Sequence, residues 1–161
     1  MPSPSNSVPT NTASTFYASA MEKSTKPQII SLPKIADPRG NLSVVESGKE
    51  VPFSIERVFY LYDVPADSER GGHAHHQAWQ LMIAVAGSFD VVLDNGAEQR
   101  RYTLNRPYQG LLIPPGFWRT MDNFSSGSVC MVITNIHYSE DDYIRDYAEF
   151  KQLAEASPRN F

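Results

Sequence analysis

The chain has 161 residues, a net charge of −4 at pH 7 and one cysteine. Its 41% hydrophobic and 20% charged residues are ordinary for a globular protein, and the length suffices for one domain with its own core. The acidic balance argues against general binding to nucleic acid or to an anionic membrane. No apolar run approaches the roughly 20 residues that a membrane span needs. Cys130 cannot form a disulfide within the chain, which favours a reducing, cytoplasmic setting.

Residues 1–26 differ in composition from the rest of the chain. They are rich in Ser, Thr, Pro and Asn, and they lack the charged and apolar regions of a secretory signal. We therefore expect a disordered tail over residues 1–26 and one folded domain over residues 27–161.

Short apolar runs separated by turn residues fill most of this domain. Asp37–Gly40 has the composition of a β-turn, while Gly87-Ser88 and Asp94–Gly96 are typical of tight hairpins. The predicted strands span residues 29–32, 42–46, 53–62, 81–86, 89–93, 101–104, 110–113 and 129–136. Short strands at this spacing favour an all-β sandwich or barrel.

The C-terminal segment has a different, helical pattern. Ser139 is a typical N-cap residue, and three acidic residues follow it. Apolar or aromatic side chains then recur at positions 143, 147, 150 and 154, and Pro158 follows. We expect an amphipathic helix that begins after Ser139 and packs on the barrel or on a partner.

Three of the four histidines lie in the octapeptide Arg70–Gln77. In an extended chain His73 and His75 point to the same face, and His76 points to the other. Two adjacent imidazoles suit either a metal site or an acid/base pair, because imidazole titrates near neutral pH.

Two clusters of Gly, Pro and His resemble the paired motifs of the cupin superfamily. The matching positions are His73, His75 and Gly87 in the first motif and Pro114, Gly116 and Asn123 in the second. The match covers two motifs some 40 residues apart, which makes it more specific than the histidine pair alone.

Two positions depart from the metal-binding form of these motifs. Trp79 or Gln80 stands where a metal-binding cupin has glutamate, and Arg119 stands where it has its last histidine. A neutral amide is a poor ligand, and a guanidinium is a permanent cation that repels a metal ion. We therefore expect no metal, and we expect the histidine pair to act as acid and base.

A narrower resemblance covers residues 28–155. The segments that carry it are Asp37–Gly40, Pro52–Tyr60, Arg70–His75, Asp122–Ser126 and Asp142–Tyr147. They are similar to the nucleotide-sugar 3,4-ketoisomerases of the cupin superfamily. The resemblance implies an antiparallel jelly-roll (double-stranded β-helix) barrel with a C-terminal α-helix, a homodimer, and no metal or organic cofactor. It also implies that dTDP-4-keto-6-deoxyglucose is the substrate, that its carbonyl moves from C4 to C3, and that the product enters deoxy- or amino-sugar biosynthesis.

This chemistry suggests roles for particular side chains. Moving the carbonyl requires removal of the C3 proton, an enediol intermediate and reprotonation at C4. We expect His75 to be the base and His73 its partner, although the reverse assignment stays open. Tyr60 is a third catalytic candidate. Relatives can have Tyr-Tyr where this chain has Phe59-Tyr60, so a tyrosine at position 59 is lost. The candidate substrate-binding residues are Arg57, Arg70, Gln80 and Arg119, whose donors suit pyrophosphate and sugar oxygens.

Two alternatives remain at this point. One is a metal-dependent cupin enzyme, which Gln80 and Arg119 disfavour. The other is a non-catalytic cupin that binds a nucleotide sugar. The sequence leaves open the product configuration at C4 and the exact nucleotide.

Overall fold

The computed structural model describes residues 25–161, which form an antiparallel β structure with one α-helix near its C-terminus. The strands are β1 (Gln28–Ser31), β2 (Lys34–Asp37), β3 (Gly40–Ser43), β4 (Arg57–Leu61), β5 (Arg70–His75), β6 (Gln80–Ala86), β7 (Phe89–Asp94), β8 (Gln99–Leu104), β9 (Gln109–Ile113), β10 (Trp118–Asp122), β11 (Val129–Thr134) and β12 (Tyr143–Ile144). A 3₁₀ turn, Glu140–Asp142, precedes β12, and helix α1 spans Tyr147–Ala156. The tail predicted over residues 1–26 lies outside the described residues, except for its last two.

Two five-stranded sheets face each other. One has the order β1-β9-β6-β11-β4 and the other the order β12-β5-β10-β7-β8. Every ladder between named strands is antiparallel. This is the predicted antiparallel jelly roll with a C-terminal helix.

The core has three parts, each of which supports a different layer. The main cluster lies between the two sheets and includes Phe89, Leu111 and Phe117. A second cluster around Phe53 and Trp79 covers the outer face of the first sheet. The third packs α1 against the second sheet, where the helix buries Phe150 and Ala154. The sheet that carries the histidine pair thus packs against the first sheet on one face and against α1 on the other.

The predicted start of the C-terminal helix was wrong. Ser139 caps only a single 3₁₀ turn and makes no side-chain capping hydrogen bond. The chain then pairs with β5 through β12, so the α-helix begins at Tyr147. Its N-cap is Asp146, whose carboxylate accepts a hydrogen bond from the Glu149 backbone at 2.8 Å.

The Gly87-Ser88 pair also plays a different role from the predicted hairpin. The strands on either side of it, β6 and β7, belong to different sheets. The pair therefore turns the chain from one sheet to the other, and Gly87 has a positive φ of 64°. The hairpin predicted at Asp94–Gly96 is confirmed, since β7 pairs with β8.

Several strands differ in length from their predictions. β4 begins at Arg57 rather than at residue 53, and β3 ends at Ser43 rather than at residue 46. β2, β5 and β10 were not among the predicted strands, although the histidine segment in β5 was treated as extended. β10 alternates between buried and partly buried positions, and the charged residue Arg119 occupies a buried one. The sequence of β10 therefore lacks the alternation of apolar and polar residues that predicts a half-buried strand.

Candidate active site

A cavity of about 440 Å³ lies between the sheets at the end of β5. Side chains from both sheets line it, including three arginines and one of the two central histidines. The lining residues are Phe59, Leu61, Glu69, Arg70, Gly71, His73, Gln80, Met82, Arg119, Met121, Val132, Tyr143 and Arg145.

The histidine pair lies side by side on β5, as strand alternation requires. The rings of His73 and His75 are 4.9 Å apart and meet edge to face. His73 lines the cavity and lies opposite Arg119 in the β5–β10 pairing. His75 lies deeper, with a side-chain exposure of 1%. His76 is exposed.

A buried carboxylate fixes one end of His75. The Asp142 Oδ2 atom lies 2.8 Å from His75 Nδ1, and the Asp142 Oδ1 atom accepts a hydrogen bond from the Gln77 backbone at 2.6 Å. A carboxylate only accepts hydrogen bonds, so the neutral imidazole carries its proton on Nδ1. The lone pair of His75 is therefore on Nε2.

Gln80 and Arg119 meet at the other end of His75. The Gln80 Nε2 atom lies 3.4 Å from His75 Nε2, and the Gln80 Oε1 atom accepts a hydrogen bond from Arg119. Arg119 also donates to the Phe117 carbonyl at 3.1 Å, and its side chain is completely buried. The two residues that depart from the metal-binding cupin motifs are thus neighbours of the histidine pair.

The surroundings keep both imidazoles neutral at pH 7. Burial is the larger cause and the Arg119 cation the next, and together with smaller effects they lower the pKa of His73 to about 4 and that of His75 to about 2. Burial lowers the pKa of Arg119 itself to about 10, so it remains a cation at neutral pH. The site therefore combines two proton acceptors with a buried positive charge.

The structure does not bring every predicted site residue to the cavity. Tyr60 points outward, is 61% exposed and lines a separate cavity of about 430 Å³ together with Tyr62. Phe59 takes the inward position on β4 instead. Arg57 lies outside the cavity lining, with its guanidinium 5.0 Å from the centre of the Phe59 ring. Arg70 lines both cavities.

Three residues of the site were missed by the sequence predictions. Asp142 was assigned to a helix, and so was Tyr143, whose ring lies 4.9 Å from His73 and 4.5 Å from His75. Arg145 lies 4.2 Å above the Tyr143 ring and also lines the cavity. The available signal was the segment Asp142–Tyr147, one of those that carry the family resemblance.

Two features are absent from residues 25–161. Within that range no three His, Cys, Asp or Glu side chains are grouped so that they could hold a metal ion. In the same part of the chain, no helix is long and apolar enough to cross a membrane.

Comparison with known families decides where the chain belongs. Residues 25–155 match the family described as FdtA: WxcM-like, C-terminal. The chain belongs to this family. A curated relative from Aneurinibacillus thermoaerophilus, TDP-4-oxo-6-deoxy-alpha-D-glucose-3,4-oxoisomerase, is 42% identical over 125 residues, which cover 78% of this chain and 90% of the relative.

Solved structures agree with this family membership. The 3,4-ketoisomerase QdtA from Thermoanaerobacterium thermosaccharolyticum, as a point mutant with TDP-4-keto-6-deoxyglucose, matches with a TM-score of 0.81 at 35% identity. The match covers 82% of this chain and 96% of that one. The WlaRB TDP-quinovose 3,4-ketoisomerase from Campylobacter jejuni matches with a TM-score of 0.76 at 41% identity, over 78% and 97% of the two chains. The predicted resemblance to the sugar 3,4-ketoisomerases is confirmed, and the chain is an enzyme of this isomerase family.

Proposed function

We propose that this chain converts TDP-4-keto-6-deoxyglucose to its 3-keto isomer through the histidine pair, without a metal ion. The observation that carries the proposal is a cavity of about 440 Å³ with the neutral imidazole of His73 in its wall. The neutral imidazole of His75 lies next to His73, and the Asp142 carboxylate is behind it. The names of the curated relative and of the QdtA complex support this substrate.

The proposed reaction moves two protons and leaves the composition of the sugar unchanged. The His75 Nε2 atom removes the C3 proton while the C4 carbonyl oxygen gains a proton, which gives an enediol. The C3 hydroxyl then loses its proton as C4 is protonated, which leaves a carbonyl at C3. Asp142 stabilises the imidazolium that forms on His75, and His73 shares the proton transfer from the cavity wall.

The arginines of the cavity suit the charged part of the substrate. Arg70, at the start of β5, and Arg145, directly after β12, both line the cavity, and their forked donors fit pyrophosphate oxygens. Tyr143, rather than Tyr60, supplies the tyrosine of the cavity wall. We assign Gln80 and Arg119 to the floor of the cavity, where they stand beside the reacting sugar.

We also propose that two copies of the chain form a homodimer. The β2–β3 hairpin pairs with no other strand in residues 25–161, yet its apolar side chains Ile35 and Leu42 are each 57% exposed. β4 is an edge strand with exposed Val58 and Tyr60. A second copy presents the same hairpin and the same edge strand, so the two copies can pair about a two-fold axis.

We propose that the protein works in the cytoplasm. Cys130 is a free, buried thiol, and burial raises its pKa to about 12, which accords with a reducing environment.

The function is tested by incubating the purified chain with TDP-4-keto-6-deoxyglucose and following the sugar by NMR. We expect a 3-keto product, and its rate should not change after treatment with EDTA. Loss of activity with EDTA and recovery with a divalent metal would favour the metal-dependent alternative. Binding without any conversion would favour a nucleotide-sugar-binding protein instead.

A further inference from the structure

We infer that Gln80 and Arg119 are positioning residues, which together hold His75 in the one tautomer that can act as a base at Nε2. The inference rests on the proposed function for its catalytic meaning. Its physical content, the position of a proton on His75, does not depend on any substrate.

Hydrogen bonds connect Arg119 to Gln80, Gln80 to His75 and His75 to Asp142 in a row. Donors and acceptors can be assigned along this row in only one way. Arginine has donors and no acceptor, so the Gln80 oxygen must face Arg119. The NH₂ group of the same amide must then face His75 Nε2, which lies 3.4 Å away. An NH₂ group only donates, so Nε2 must be the acceptor and Nδ1 must carry the proton that it shares with Asp142.

Burial makes this arrangement rigid. Arg119 and Gln80 are 0% and 1% exposed, so water does not compete for their hydrogen bonds. Arg119 is held by the Phe117 carbonyl, and its Nε atom has no partner within the described chain. A fully buried cation with an unpaired donor is costly, which makes it a better candidate for a functional than for a purely stabilising group.

Arg119 also acts on the histidines through its charge. The groups that face His75 are Asp142 from the 3₁₀ turn, His73 from its own strand, Arg119 from β10, Arg57 from β4, Tyr143 from β12 and Arg145 beyond it. After burial itself, the Arg119 cation is the largest cause of the lowered pKa of His75. The same residue thus orients Gln80 and disfavours the imidazolium in the resting enzyme.

The hydrogen bonds of Gln80 and Arg119 leave His75 in a different state from a histidine that binds a metal ion. A metal bound to the pair would occupy the lone pairs of both imidazoles. With Gln80 and Arg119 in place of two ligands, the Nε2 lone pair of His75 faces only a long hydrogen bond from an amide. The Nε2 lone pair is thus the proton-accepting position of His75.

The direct test is Gln80→Glu, which keeps the shape and the contact with Arg119 but removes the donor that faces His75. The new carboxylate should draw a proton onto Nε2. In ¹⁵N NMR of imidazole-labelled protein at pH 7, we expect Nε2 of His75 unprotonated in the wild type and protonated in the variant. We further expect kcat to fall roughly 10²-fold, the size of a general-base contribution, with KM little changed.

A second variant, Gln80→Met, removes the donor without adding charge. We expect the Nε2 resonance to shift toward that of a nitrogen without a hydrogen bond, and circular dichroism reports whether each variant is folded. Arg106→Gln serves as the control, since the Arg106 side chain is exposed and donates its hydrogen bond to the neighbouring Asn105 carbonyl. It should change neither the His75 resonances nor kcat.

The inference is overturned if Nε2 of His75 is protonated in the wild type, or if Gln80→Glu leaves its protonation and kcat unchanged. If the tautomer follows Gln80 as expected but the wild type does not convert TDP-4-keto-6-deoxyglucose, the positioning stands and the proposed substrate fails.

Discussion

At the scale of single residues, the site depends on which atom carries each proton. The alternation of side chains along a strand was enough to predict that His73 and His75 share a face. Gln80 and Arg119 were identified because they stand where metal-binding cupins have metal ligands. Asp142 could not be predicted in the same way, because it contacts His75 across 67 residues of sequence. Acidic residues after Ser139 also suit a helix N-terminus, and that local pattern concealed the long-range contact.

Asp142→Asn should lower kcat by roughly 10²- to 10⁴-fold, since an amide in place of the carboxylate can turn its NH₂ toward Nδ1 and reverse the tautomer of His75. The carboxylate also accepts a hydrogen bond from the Gln77 backbone, so we expect a lower free energy of unfolding as well. Steady-state kinetics and urea unfolding measure the two effects. Asp141→Asn is the matched control, because Asp141 is exposed. An Asp142→Asn enzyme with wild-type kcat would remove the carboxylate from the mechanism.

At the scale of elements, glycine in β5 sets how closely the histidine strand approaches β10. A Cβ atom on Gly71 would lie 2.7 Å from the Arg119 carbonyl oxygen, at a φ of +90°. The pairing of these strands shifts register between Arg119 and Thr120. Gly71 thus brings Arg119 close to the histidine strand. The turn-like Arg-Gly-Gly sequence gave no hint of this contact.

Gly71→Ala should therefore destabilise the protein more than Gly72→Ala. Both positions have a positive φ, which costs an alanine roughly 1–2 kcal/mol, but a Cβ on Gly72 has nothing within 4 Å. The difference between the two free energies of unfolding isolates the contact with β10, and chemical denaturation gives both. Equal losses for the two variants would mean that β5 and β10 separate without cost.

The element predictions succeeded where pattern and burial agree. β6, β7 and β9 are apolar and buried, and their bounds were predicted to within one residue at each end. The prediction for the C-terminal segment was wrong because Tyr143 continues the helical spacing of Tyr147 and Phe150 but pairs with β5. Tertiary pairing outweighed a local periodicity that fits a helix equally well.

At the scale of the whole molecule, burial of two neutral histidines couples stability to pH. The pKa of each is about 6.5 in the unfolded chain, and it falls to about 4 for His73 and about 2 for His75 on folding. Below pH 6.5 the unfolded chain therefore binds more protons than the folded protein. The free energy of unfolding must decrease as the pH falls through this window.

We expect a decrease of up to about 1.4 kcal/mol per pH unit for each histidine between pH 6.5 and pH 5. The buried carboxylates Asp90 and Asp94 have lowered pKa values, so their contribution is lost only below about pH 4, outside this window. Urea unfolding at pH 7, 6 and 5 measures the slope, and a double variant, His73→Gln with His75→Gln, should have a smaller one. A wild-type free energy of unfolding that stays flat from pH 7 to pH 5 would contradict the burial of neutral imidazoles.

The most direct test of the proposed reaction is conversion of TDP-4-keto-6-deoxyglucose in deuterated buffer, followed by proton NMR. The histidine-mediated mechanism predicts a 3-keto product with deuterium at C4, and no such product from His75→Asn. A product that retains the original C3 hydrogen at C4, without any deuterium, would contradict a base that exchanges with solvent. Full activity of His75→Asn would contradict the central role of this histidine.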